Sequence, residues 1–205
     1  ALDLDDIDVD GNLDVIVGAS YLSPIDVPQT RAGGAFLYEI TDIEGPALPR
    51  QELNGFRGHS GYDLVGEATK FIGDFDGDGF GDFAVSARAD EQPTSFSTID
   101  IIDPAGCPPR RSNTGSVYIF RGQADGTVNA EPSFVIYGEL ANENLEHIGG
   151  VVDFNNDNFS DLYIGARFAD TPNPNGGQKR DAGRALVYRG RPAPLAGQRA
   201  ILCEP

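Results

Sequence analysis

The chain has 205 residues, 40% of them hydrophobic and 9% aromatic, and a formal net charge of −17 from 32 acidic and 15 basic residues. This apolar content excludes a disordered polypeptide, and the acidic balance argues against a nucleic-acid partner. No apolar run approaches the roughly 18 residues that a membrane helix needs.

Gly (26) and Pro (14) together make up about a fifth of the residues, which predicts many short elements joined by turns. The chain holds no Met, starts at Ala1 and opens on no signal-peptide pattern. A processed product or a piece of a longer polypeptide is therefore expected.

In chain order, the first distinctive segment is Asp6 to Ala19, DIDVDGNLDVIVGA: an acidic nine-residue loop, then an apolar run ending in small residues. Gly34-Ala35-Phe36-Leu37-Tyr38 follows as a strand led by Gly. The same pair of features returns as DFDGDGFGDFAVSA from Asp74 to Ala87 and the strand Gly115 to Phe120. It returns again as DFNNDNFSDLYIGA from Asp153 to Ala166 and the strand Gly183 to Tyr188. The loop starts are 68 and then 79 residues apart. The second and third loops are each entered by a strand end, a Gly turn, a polar loop and a short apolar strand, over residues 56–73 and 135–152.

The apolar runs are four to six residues long and rich in Val, Ile, Phe and Tyr, and no stretch keeps a 3.6-residue period. These features predict an all-β chain with about four strands per repeat. A single such sheet cannot bury both faces alone, so the repeats must pack on one another. A β-propeller-type array of about three four-stranded antiparallel blades fits, as part of a larger ring. The repeats are expected at 1–45, 46–122 and 123–205 of one propeller region, the first and last incomplete.

Oxygen-bearing side chains sit at positions 1, 3, 5 and 9 of each loop. They are Asp6, Asp8, Asp10 and Asp14; Asp74, Asp76, Asp78 and Asp82; and Asp153, Asn155, Asp157 and Asp161. Carboxylates this dense repel unless a cation lies between them. Position 6 must turn sharply and is Gly11, Gly79 and Asn158, residue types that tolerate positive φ. The carbonyl of position 7 (Asn12, Phe80, Phe159) can add another oxygen.

An all-oxygen, carboxylate-rich cage suits Ca²⁺, with two to three ions expected per chain, and Mg²⁺ as the alternative. An EF-hand is rejected, because its position-12 Glu is replaced by Val17, Val85 and Ile164. Eleven of the acidic residues belong to the loops, and setting them aside takes the net charge from −17 to −6. Two other readings leave the loops without an ion: bare Asx-rich turns, and halophilic acidity, which does not explain the spacing.

The DxDxDGxxD loop followed by an apolar run and Gly-Ala resembles the FG-GAP repeats of integrin α-subunit propellers and their bacterial relatives, over most of the chain. The resemblance implies that each loop joins the first two strands of a blade and holds a Ca²⁺ through the residues named above. It also implies an extracellular adhesion or recognition module whose partner is a protein, a glycan or another subunit. Departures are Ser86 for Gly in the second repeat, and Asn155 and Asn158 in the third.

If the loops join strands one and two, the long connections 20–33, 88–114 and 167–182 emerge on the opposite face. Arg88, Arg110, Arg111, Arg167 and Arg180 in them are candidate partner-binding residues, and solvated insertions or contacts to missing parts of an assembly are the equal alternative. Cys107 and Cys203 are a candidate disulfide pair, with a missing segment as the competing partner.

No catalytic set is visible. His59 and His147 are read as structural residues in the turns before repeat strands, and Gly58-His59-Ser60-Gly61 is not a nucleophile elbow. The expected protein is a non-catalytic, calcium-stabilised extracellular adhesion module. A subunit of a surface layer or filament, and the accessory propeller of a hydrolase, are the alternatives.

Overall fold

A computed structural model describes residues 1–23, 31–40, 48–52, 63–90, 100–103, 112–129 and 131–202. Every regular element among these is a β-strand. No helix among the described residues is long and apolar enough to cross a membrane.

The first sheet is an antiparallel meander of β1 (Leu2–Asp5), β2 (Leu13–Gly18), β3 (Ala35–Ile40) and β4 (Leu48–Glu52). Its fourth strand lies beyond residue 45, where the sequence placed the end of repeat one. The second sheet is built from β5 (Val65–Gly73), β6 (Asp82–Ala87), β8 (Ser116–Phe120) and β9 (Phe134–Tyr137), again antiparallel. The third contains β10 (Leu145–Val152), β11 (Asp161–Ala166) and β14 (Arg184–Tyr188). The expected blades are present, and the acidic loops join the first two strands of each.

One strand goes to an unexpected place. The third sheet has three described strands where four were expected. The last strand, β15 (Arg199–Leu202), pairs in parallel with β9 and with β7 (Asp100–Asp103), extending the second sheet to six strands. Two interactions favour this. Ala200, Ile201 and Leu202 are buried there, and the Arg199 guanidinium donates to Asp100 at 2.8 Å. The long connections are also not wholly irregular. The second contains β7, and the third folds a small hairpin of β12 (Thr171–Pro172) and β13 (Gln178–Lys179).

The central sheet explains the unbroken apolar runs. All six residues of β6 and all five of β8 are buried, because both faces of this sheet are covered. Phe83, Val85, Tyr118 and Phe120 face the first sheet with Ile7, Ile16 and Leu37. Ala84, Val117 and Ile119 face the third sheet with Leu145, Leu162 and Ile164. Phe83 stacks on Phe120 with centroids 5.0 Å apart, and Phe71 meets Phe83 edge-on. Each such ring contributes about 1.5–3 kcal/mol through burial.

Among the described residues, the two outer sheets carry exposed apolar side chains. Leu2, Leu4 and Leu13 are exposed on the first sheet, and Val151, Tyr163 and Val187 on the third.

Candidate metal centres

The three acidic loops share one hydrogen-bonding plan. The first aspartate caps the amides of positions 5 and 6: Asp6 accepts from Asp10 and Gly11, Asp74 from Asp78 and Gly79, Asp153 from Asp157 and Asn158. Position 5 accepts from the amide of position 7, at 2.8 Å for Asp10 and Asn12, 3.0 Å for Asp78 and Phe80, and 3.1 Å for Asp157 and Phe159. Position 6 has the expected left-handed backbone, with φ of 90° at Gly11, 94° at Gly79 and 72° at Asn158. These bonds fix the turn between positions 1 and 7 in each loop.

In the first loop, carboxylate oxygens of Asp6, Asp8 and Asp14 lie within 4.8 Å of one another. In the second, those of Asp74, Asp76 and Asp78 do so. In the third loop Asn155 stands at position 3, and its amide donates to Asp157 at 2.7 Å. Both clusters contain only oxygen donors, with no imidazole or thiolate. That donor set fits a hard divalent cation.

The electrostatics differ between the second and third loops. Burial raises the pKa of Asp76, the neighbouring Asp78 charge raises it further, and Arg121 partly offsets both. Burial pushes Asp82 well above the ordinary carboxylate range, with the Asp76 charge adding to it. At Asp153 a desolvation contribution is outweighed by the amides of Asn158 and its neighbours, which hold the group below its usual value.

The position-nine aspartates make contacts that spacing alone did not reveal. Asp82 is fully buried. It accepts from the amides of Phe75 at 2.8 Å, Asp76 at 3.2 Å and Gly122 at 3.1 Å. Asp161 accepts in the same way from Phe154 at 2.8 Å and Gly190 at 3.0 Å, and Asp14 from Ile7 at 3.1 Å. Through Gly122 and Gly190, Asp82 and Asp161 tie their loops to the end of the blade's third strand.

The Gly at that end is required by close approach. A Cβ on Gly122 would lie 2.1 Å from the Gly81 carbonyl oxygen. Gly122→Ala is therefore expected to cost about 2 kcal/mol of stability through overpacking. Urea unfolding measures it, and an unchanged midpoint would refute the steric account.

Neighbouring loops are also joined directly. Gly81 of the second loop donates to the Ile7 carbonyl of the first at 2.9 Å, and Ser160 of the third donates to the Asp74 carbonyl of the second at 2.8 Å. The Phe159 ring packs against Gly77. The loops form one continuous rim.

Sequence reasoning missed Arg121. It follows β8 and sets its guanidinium against Asp76 and Asp78, with Nη2 2.8 Å from Asp78 Oδ2. Desolvation would lower its pKa, but the Asp76 and Asp78 charges outweigh this and raise it. The signal available was the Arg-Gly step that closes the third strand twice, at 121–122 and 189–190.

On the opposite side, Arg88 and Arg167 both reach the buried Glu146 of β10. Arg167 Nε lies 2.7 Å from it and Arg88 Nε 3.8 Å. Arg167 also lies over the Phe168 ring, and Arg180 is exposed. His147 belongs to β10 itself rather than to the turn before it. Its Nε2 is 3.4 Å from Glu146. Arg110, Arg111, Cys107, Cys203 and His59 lie outside the described residues.

Comparison with known proteins agrees with this geometry. Residues 147–188 match the FG-GAP repeat family model. The chain is 27% identical to integrin alpha-5 of Xenopus laevis over 197 residues, which is 91% of this chain and 15% of that protein. It is 31% identical to integrin alpha-V of Gallus gallus over 146 residues, 69% of this chain and 11% of that protein. It is 26% identical to integrin alpha-IIb of Homo sapiens over 200 residues, 96% of this chain and 16% of that protein. The chain thus spans about a sixth or less of the length of these relatives.

Proposed function

We propose that this chain, an integrin-like FG-GAP repeat domain, is a section of an extracellular adhesion or recognition propeller whose acidic loops bind calcium. The observation that carries this reading is the convergence of three carboxylates within 4.8 Å in each of the first two loops. Asp6, Asp8, Asp10 and Asp14 would hold the first ion with the Asn12 carbonyl. Asp74, Asp76, Asp78 and Asp82 with the Phe80 carbonyl would hold the second. Asp153, Asn155, Asp157 and Asp161 with the Phe159 carbonyl would hold a third, at one carboxylate fewer.

The ion would supply positive charge that gathers the carboxylate and carbonyl oxygens of the loop. The chain's own residues do the rest. The amide caps shape each turn, Asp82 and Asp161 fix the second and third loops to the third strands of their blades, and the sheet-to-sheet cores support the rim. Such a frame suits presentation of the long opposite-face connections, including Arg180, to a protein or glycan ligand.

Calcium content and thermal melts with and without chelator test this. Two to three ions per chain are expected. At calcium about tenfold above Kd, each occupied loop adds about 1.4 kcal/mol. This corresponds to a melting shift of about 3–6 °C per loop. No bound calcium together with an unchanged melt in excess chelator would overturn the calcium reading.

The exposed apolar side chains of the first and third sheets support a further step, because side chains of this kind are buried between sheets inside this chain. Additional blades, or other subunits, would cover them as part of a larger ring or assembly. Native mass measurement across concentration separates these. Self-association supports subunit assembly, and a persistent 21.8 kDa monomer excludes it for this chain.

A further inference from the structure

The second acidic loop already contains a cation, the Arg121 side chain. Its guanidinium contacts both Asp76 and Asp78, and the Asp76 side chain is fully buried beneath it. The strand register shows how it gets there. Phe83 pairs with Phe120, so the next step places Asp82, at position nine, opposite Arg121. In the first sheet Asp14 pairs with Glu39, and in the third the step beyond Leu162–Tyr188 places Asp161 opposite Arg189. The same place in the blade thus carries an acid beside the first loop and a base beside the second and third. Glu39 also reaches the first loop, accepting from the Asn12 side-chain amide at 3.4 Å.

We propose that this position sets the order in which the loops take up divalent cations. Arg121 is a resident counter-cation that a metal ion must displace from the second loop. Glu39 adds negative potential beside the first loop, so the first fills at lower concentration. The displaced guanidinium has somewhere to go. Arg121 lines an open cavity of about 420 Å³ whose wall includes Asn129 and Glu131. In the absence of metal, Arg121 keeps the second cluster from repelling itself open. The proposal rests on the reading of the loops as cation sites.

Calorimetric calcium titration of the whole chain, its Arg121→Gln variant and the Arg121→Gln, Asp78→Asn double variant tests this. An opposite charge at this range shifts a carboxylate equilibrium by tenfold or more. Arg121→Gln is therefore expected to tighten one of the weaker sites about tenfold, and adding Asp78→Asn should abolish the gain.

Melting supplies a second readout. In chelator the Arg121→Gln variant should melt below the parent chain, yet gain more on adding calcium. An arginine with a purely structural role would lower both melts equally, and that result overturns the proposal. Calcium binding with unchanged or weaker affinity in Arg121→Gln also overturns it while leaving the loops as cation sites. No binding by any of the three proteins overturns both readings.

If Arg121→Gln fails to fold, Glu39→Gln decides. A several-fold weaker tightest site is expected, and an unchanged one overturns the proposal.

Discussion

Replacing Asp82 with alanine is expected to remove about 4 kcal/mol of folding stability, in chelator as well as in calcium. The carboxylate is fully buried and accepts three backbone amides, from Phe75, Asp76 and Gly122. Truncation strands all three donors away from water, and each orphaned buried donor costs about 1–3 kcal/mol. It also unties the loop from the third strand of its blade. Asp82→Asn should cost about half as much, because its amide oxygen can still serve the Phe75 and Asp76 donors. Urea unfolding in excess chelator makes the measurement. A loss that appears only when calcium is present would show the side chain to be a ligand and not also a staple. Asp78→Ala is the internal control. Its side chain is a quarter exposed, and most of its effect should appear only with calcium.

The pattern of what the sequence revealed follows from which forces are local. Strands β6, β8, β11 and β14 were legible because each is a short apolar run bounded by Gly or Asp, and the central sheet buries both faces. The loops were legible because oxygen-bearing side chains recur at positions 1, 3, 5 and 9 and the backbone bends at position 6, at Gly11, Gly79 and Asn158. Strand β1 was not, since LDLD alternates over only four residues and half of them are Asp, a residue type disfavoured in strands. Its place depends on Asp3, which accepts from Lys70 and from the Phe71 amide across the blade boundary.

The parallel docking of β15 on β9 was equally hidden. It joins residues about 65 positions apart through burial and the Arg199–Asp100 pair, neither of which leaves a local mark. At position nine, the proposed ligand and the observed backbone staple call for the same residue type. Spacing identifies the residue but not the staple. Arg121 escaped notice for a different reason, since a basic residue beside an acidic loop is distinguishable from any surface arginine only once the strand register is known.

The other large effect is expected on the face away from the loops. Glu146→Ala should cost about 3 kcal/mol, the lower end of the range for breaking a buried ion pair. Glu146 is 2% exposed and is approached by Arg88 from the second sheet's connection and by Arg167 from the third's. Removing the acid leaves two guanidinium groups facing each other where one carboxylate held both. The arginines are 26% and 52% exposed. Water can therefore recover part of their solvation, which keeps the cost below that of a fully enclosed pair.

The same contact bears on the recognition role expected for Arg88 and Arg167. If they act mainly as ties between blades, Arg167→Ala should lower stability by about 1 kcal/mol and leave the exposed Arg180 as the stronger candidate for ligand contact. If they act in recognition, Arg167→Ala should spare the unfolding midpoint and weaken ligand capture. Measuring both quantities on the same variant separates the two, because Glu146 can hold Arg167 in place for a ligand only while the guanidinium keeps donors to spare. Arg167 lies against Glu146 through Nε, and a planar guanidinium has further N–H groups that can face outward.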